Sequence, residues 1–154
     1  MSGQPIRYGV VGLGRAGWNI HVSGLRPRDD AQIVAAMDPL PDRRKEVADE
    51  FGCETHDSLD GVLAQDDVDV VVIATPSADH GPSTIRSLEA GKDVVVEKPM
   101  AMNVQEADRM IAASEAAGKK LFVHQNWRFN RLFTHIQDVI QSGRIGRLFH
   151  VRMY

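Results

Sequence analysis

The chain has a single cysteine, Cys53, so no internal disulfide can contribute to its stability. A lone thiol in a globular domain is more often a small buried hydrophobe than a nucleophile, and Cys53 is read in that way. Basic charge is also scarce. Eighteen Lys and Arg against 21 Asp and Glu leave a formal net charge of -3, without the cationic footprint that nucleic-acid binding needs. No polybasic segment is present to meet an anionic membrane. Apolar runs such as Val70–Ala74 fall far short of the roughly 20 residues that span a bilayer. Met1–Pro5 leads straight into a strand-like segment, with no charged region followed by an apolar one. A soluble, cytoplasmic protein with neither nucleic-acid nor membrane partner is therefore expected. Repeats, low-complexity tracts and long linkers are lacking as well.

What the chain does have is alternation. Its 154 residues suffice for one domain with a sizeable core but not for two ordinary ones. Ile6–Val11, Ala31–Met37, Val68–Ala74, Val94–Val96 and Leu121–Val123 read as strands, most of them too apolar to keep a solvated face. Helical segments lie between them. Pro41–Phe51 opens on a proline and stops at Gly52; Ser83–Ala90 stops at Gly91. Asn103 and Glu106 form a capping-box-like start to a helix that runs to Gly118. Strand–helix alternation with short connections implies parallel strands joined by right-handed crossovers, hence a doubly wound α/β domain. The end of the chain differs. Residues 130–142 predict a strongly amphipathic helix, and 146–154 alternate like a strand, with Phe149, Val151 and Met153 on one face. A strand without a following partner is expected to pair with a second copy of the chain or to fold back on its own domain.

The first strand ends in Gly12-Leu13-Gly14-Arg15-Ala16-Gly17. In a dinucleotide site Gly12 permits the tight turn, Gly14 lets the backbone approach a pyrophosphate, and Gly17 allows close helix–strand packing. The pyrophosphate would rest on free amides at a helix N-terminus, where the macrodipole favours negative charge. Glycine-rich turns also arise for structural reasons alone, but the position after an apolar strand inside a βαβ unit favours binding. Asp38, at the end of the second strand, can accept hydrogen bonds from ribose hydroxyls and would repel a 2′-phosphate, which favours NAD over NADP. It could also be a turn residue before Pro39. Arg43 and Arg44 leave NADP open, although they also suit the solvated face of their helix. Thr75 and Pro76 follow another apolar strand and would flank the nicotinamide-side ribose. His80, in the next turn, is equally readable as a helix-start hydrogen-bonding residue. Lys98 follows Val94–Val96 and Glu97. At a strand's carboxyl end its ammonium could hydrogen-bond a substrate hydroxyl and stabilise alkoxide character, or it could be an exposed lysine beside a glutamate.

The glycine loop, Asp38, the Thr75-Pro76…His80 segment and above all Glu97-Lys98-Pro99 resemble the glucose–fructose oxidoreductase / inositol dehydrogenase / rhizopine-catabolism (Gfo/Idh/MocA) family. His124-Gln125-Asn126-Trp127-Arg128-Phe129 is similar to that family's Asn-x-Arg-aromatic stretch, and Gly143-Arg144-Ile145-Gly146 to the turn before its second domain. The resemblance implies a Rossmann domain over residues 1–125, with 126–154 as a connecting helix and the first strand of a substrate domain. It implies NAD(P)-dependent hydride transfer to or from a sugar, inositol or related polyol. Lys98 would contact cofactor and substrate, Glu97 would hold it, and Pro99 would follow a cis peptide. Asn126 and Arg128 would shape the inter-domain crevice. The family's Asp/His proton-handling pair comes from a second domain that this chain does not reach, so the chain is expected to bind dinucleotide without turning over a polyol. No metal is expected. Competing readings are a non-catalytic, redox-sensing dinucleotide module and, less well matched, a coenzyme A or S-adenosylmethionine domain, which would leave Glu97-Lys98-Pro99 without a task.

Overall fold

Alternating side chains along the central strands divide the core in two. In a computed structural model describing residues 4–152, six strands form one parallel sheet in the order β3-β2-β1-β4-β5-β6. They are β1 (Ile6–Val11), β2 (Ala31–Met37), β3 (Glu54–His56), β4 (Val70–Ile73), β5 (Asp93–Val96) and β6 (Leu121–Val123). On one face Val11, Ala35, Val71, Ile73, Val94 and Val96 pack with Leu59, Val62, Leu88 and Met110. On the other, Val10, Ile33, Ala36 and Val72 pack with Leu13, Val22 and Val47. Successive strand residues point to opposite faces, so continuous apolar runs are what a sheet covered on both sides requires. Each fully buried Val, Ile, Leu or Met among them contributes roughly 1.5–3 kcal/mol. The expected doubly wound α/β class is the one observed.

Helices α1 (Ser23–Leu25), α2 (Pro41–Phe51), α3 (Leu59–Leu63), α4 (His80–Glu89) and α5 (Val104–Ala117) accompany the sheet, and α6 (Arg131–Gln141) follows it in the chain. A π-helical stretch, Gly17–Val22, runs directly into α1. The Asn103 side chain caps α5 by accepting from the Glu106 amide at 2.9 Å, while Glu106 Oε2 accepts from the Met102 amide at 2.7 Å. The capping pair read from sequence is thus present, with its return bond one residue earlier than the usual reciprocal arrangement. Among the described residues no helix is long and apolar enough to cross a membrane.

Four segments differ from the sequence expectation. The three-residue edge strand β3 and the short α3 are too brief for periodicity to register. The helix expected from Ser83 begins at His80, and Pro82 sits in its first turn, where a missing amide proton costs no hydrogen bond. The strand expected over 146–154 is not formed over 146–152; Met153 and Tyr154 lie outside the described residues. A strand exists by hydrogen-bonding a neighbour, and none of the described strands pairs with this segment.

The chain divides into two compact units, one ending at His124 and the other beginning at Gln125. The second contains a 3-10 turn, Asn126–Phe129, and α6, whose second amide, Leu132 N, donates to the side chain of the capping residue Asn130 at 2.9 Å. Along α6, Leu132, Phe133 and Ile136 are exposed.

Candidate functional site

Strand order reverses between β1 and β4, since β1 pairs with β2 on one side and β4 on the other. In open α/β sheets the crevice at the carboxyl ends of such strands is where ligands bind. Here the β1 and β4 loops abut closely. Gly12 adopts φ +91°, and a Cβ on it would lie 2.7 Å from the Ala74 carbonyl oxygen. A Cβ on Gly17 would lie 1.8 Å from the Gly12 carbonyl oxygen, so only glycine allows the following helix to pack there. At Gly14 the nearest atom to such a Cβ is Arg43 Nη1, at 3.7 Å. Gly12 and Gly17 are therefore demanded by the fold itself. Gly14 is not, which leaves its role to what approaches from outside.

Asp38 is 2% exposed and holds this loop together. Its Oδ2 accepts from the Leu13 amide at 2.8 Å, and its Oδ1 from the Leu40 amide at 2.9 Å. Arg43 Nη1 donates to Oδ2 at 3.2 Å, from a side chain that stays 44% exposed. The two alternatives for Asp38 therefore coexist: it is a turn residue, and it also lines a cleft. That cleft, of about 460 Å³, is bounded by Gly12, Gly14, Asp38, Leu40, Arg43, Thr75 and Pro76, within the size range of small-molecule and cofactor sites. Leu13 turns its side chain into the core and gives its amide to Asp38, so it offers a ligand little. Arg15 is exposed and Ala16 half-buried at the start of the helix, where the first amides lack intrahelical acceptors.

Thr75 carries a buried hydroxyl with no hydrogen-bond partner. Unsatisfied buried polar groups are rare, and in a cleft wall one marks a position a ligand can complete. His80 is 1% exposed, and its ring bridges two carbonyl oxygens: Nε2 to Thr75 O at 2.9 Å and Nδ1 to Pro99 O at 2.7 Å. A neutral ring can donate to only one of these at a time. The ring thereby ties the turn after β4, which carries Thr75 and Pro76, to the turn after β5.

The β5 strand delivers Glu97 inward and Lys98 outward. Glu97 is 4% exposed, whereas Lys98 is exposed, and the Lys98–Pro99 peptide is cis. Glu97 holds Lys98 through the backbone, its Oε2 accepting from the Lys98 amide at 3.1 Å, and not through a side-chain ion pair. Its Oε1 instead receives His21 Nε2 at 3.0 Å and His124 Nδ1 at 2.8 Å. Burial alone would raise the Glu97 pKa, but hydrogen bonds from His124, the Lys98 amide and His21 together hold it below the ordinary carboxylate value. The His21 pKa is lowered, mainly by burial and then by repulsion from His124. Sequence reading assigned neither histidine to the site. In a parallel sheet, Val96 pairing with Val123 puts Glu97 and His124 at neighbouring strand ends, but that pairing is known only once strand order is known. Asn126 and Arg128 lie in the second unit, exposed on its 3-10 turn.

Residues 6–125 match the Gfo/Idh/MocA model, described as an oxidoreductase family with an NAD-binding Rossmann fold. The chain belongs to this family. A myo-inositol 2-dehydrogenase of Thermotoga maritima is 35% identical over 143 residues, 92% of this chain and 42% of that protein. The WlbA dehydrogenase of Bordetella pertussis, solved with NADH and UDP-GlcNAcA, superposes with a TM-score of 0.88 at 35% identity, covering 97% of this chain and 43% of that one. A 3-ketoreductase from Actinomadura kijaniata, solved with NADP and TDP-benzene, gives 0.86 at 28% identity over 91% of this chain and 43% of that one. The chain thus spans less than half the length of these Gfo/Idh/MocA relatives.

Proposed function

We propose that this chain is the cofactor-binding part of an oxidoreductase that moves hydride between a nicotinamide dinucleotide and a carbinol carbon of a sugar, inositol or related polyol. The observation that carries the reading is one shared edge: the glycine loop, Thr75-Pro76 and Lys98 end the adjacent strands β1, β4 and β5. The residues fit the cofactor. The loop around Gly14 is open to a diphosphate, the cleft beside Asp38 has room for the adenosine half, and Thr75 in the cleft wall carries a buried hydroxyl without a hydrogen-bond partner. When bound, the dinucleotide takes up or supplies the hydride.

The protein's own part is positioning and charge. Gly12, Gly14, Arg15, Ala16 and Gly17 cradle the diphosphate, and Asp38 shapes the ribose side. The Lys98 ammonium hydrogen-bonds the substrate hydroxyl and stabilises negative charge on its oxygen as the carbon–hydrogen bond breaks, in the way of a preorganised electrophile. The hydroxyl proton needs an acceptor, which on this reading lies outside the present chain together with most substrate contacts, so residues 1–154 alone bind dinucleotide without turnover. Asn126 and Arg128 serve the crevice in the longer protein. NAD is favoured by the acid at position 38, although its ion pair with Arg43 softens the exclusion of a 2′-phosphate. Association of copies through residues 146–154 remains part of the reading, supported by exposed Phe149 and Val151. So does a cytoplasmic setting.

Calorimetric titration of the purified chain with NAD, NADP and S-adenosylmethionine tests the binding half. NAD is expected to bind most tightly and adenosylmethionine not at all. Failure of both dinucleotides to bind sinks the proposal, and NADH formation from inositol by the chain alone refutes the claim of inactivity.

A further inference from the structure

Beneath Lys98, three metal-ligating side chains from three separate segments converge. His21 comes from the π-helical stretch, Glu97 from the end of β5 and His124 from the end of β6. His21 Nε2 and His124 Nδ1 lie 3.0 and 2.8 Å from one oxygen, Glu97 Oε1, and the three ligand atoms all lie within 4.8 Å of one another. The two rings stand 4.6 Å apart, tilted by 54°. Each oxygen of a buried carboxylate accepts up to two hydrogen bonds, so the two imidazoles on Oε1 and the Lys98 amide on Oε2 satisfy Glu97. The same convergence also places three ligand-type side chains from different elements around a single point.

We infer that His21, Glu97 and His124 form a binding site for one divalent ion of the zinc class. Two imidazole nitrogens and a carboxylate are a recurrent protein ligand set for such ions. Magnesium and calcium, which take shells of oxygen, do not suit it. Ligand atoms bonded at about 2.0–2.2 Å in a tetrahedral site stand about 3.3 Å apart, so the two histidine–carboxylate distances of 2.8 and 3.0 Å would lengthen by a few tenths of an ångström, and the two ring nitrogens, which lie within 4.8 Å of one another, would settle to the same spacing. Both histidines now face Glu97 with the nitrogen that would bind the ion. Neutral rings accommodate it by moving their proton to the other nitrogen, without a change of net charge. The burial of His21 and the donors around Glu97 favour the neutral imidazole and the ionised carboxylate that coordination needs. His124 keeps 25% of its side-chain surface, which provides an approach from solvent and leaves a coordination position for water. The widened helical turn that carries His21 is of a kind that recurs at functional sites. An ion here would lock Glu97, and through it the Lys98 amide, whatever the substrate.

The test uses the whole 154-residue protein, stripped of metal by a chelator and titrated with Co²⁺. One equivalent is expected to bind with the visible absorption of a low-symmetry cobalt site, and Zn²⁺ is expected to displace it. His124→Gln, at the end of β6 and a quarter exposed, should lower Co²⁺ affinity by about 100-fold or more while the far-UV spectrum stays native, since even outer-shell changes cost 10–100-fold. His21→Gln should do the same wherever it folds. His135→Gln, on the exposed side of α6, should bind Co²⁺ like the parent. Absence of stoichiometric binding, or affinity that His124→Gln leaves intact, overturns the assignment and leaves the three residues as a hydrogen-bonded clamp.

Discussion

The Leu13 amide donates to the Asp38 carboxylate at 2.8 Å, across the gap between the β1 loop and the end of β2. The acid expected to select a ribose is therefore also the internal support of the loop expected to hold the diphosphate. Asp38→Ala strips the Leu13 and Leu40 amides of their acceptor, and a buried amide left unpaired costs about 1–3 kcal/mol. Thermal melts of the free protein should show that loss, and calorimetry should show weaker NAD binding in the same variant. A variant with parental melting and parental affinity removes Asp38 from both roles.

Gly14 and Gly17 should respond differently to a single methyl. Gly17→Ala forces a Cβ to 1.8 Å from the Gly12 carbonyl and should destabilise the domain severely. Gly14→Ala meets only the Arg43 guanidinium, at 3.7 Å, so its melting temperature should stay close to the parent while dinucleotide affinity falls. Equal stability losses in the two variants contradict the distinction.

Arg43 is an exposed cation in the cleft proposed to hold the adenosine half. It is 44% exposed and lies 3.2 Å from an acid that is almost fully buried. Arg43→Ala leaves that acid without its cation and removes the nearest partner for a 2′-phosphate, so NADP affinity should fall more than NAD affinity. Parallel titrations of both dinucleotides read the ratio directly.

Lys98→Met should leave NAD affinity nearly unchanged in this chain and abolish most turnover in a version carrying the second domain, because the charge acts on the reacting oxygen and not on the cofactor. A comparable loss of NAD affinity would move Lys98 from catalysis to binding.

Acid stability has a specific contributor in Asp69. Its bidentate hydrogen bonding to Arg7 brings its pKa from 3.8 down to about 2. A carboxyl whose folded pKa is depressed stabilises the fold fully above its unfolded value and loses that contribution as pH falls through the folded one. The window is therefore pH 4 to 2. Both side chains are about two-fifths exposed, so solvent screening keeps the effect small. Asp69→Asn should be less stable than the parent at pH 6 and converge with it by pH 2, as followed by urea midpoints.

Much of this molecule could be read before its structure was seen. The apolar strands, the proline and glycine punctuation and the glycine loop are local patterns, written in consecutive residues because backbone geometry and one-dimensional periodicity generate them. Gly17 could be recognised as a packing position for the same reason. Over 146–152, identical reasoning expected a strand that did not form, because alternation records a preference and pairing requires a neighbour.

The chain's sequence alone settled the alternation of elements, and with it the class of fold. Three things waited for tertiary structure: Asp38 turned inward, His80 took two carbonyls, and His21 and His124 met at Glu97. Each depends on which strands become neighbours and how closely their loops approach. The contacts that decide them, His80 with Pro99, Leu13 with Asp38, and His124 and His21 with Glu97, join residues 19 to 76 positions apart in the chain, and no local periodicity encodes them.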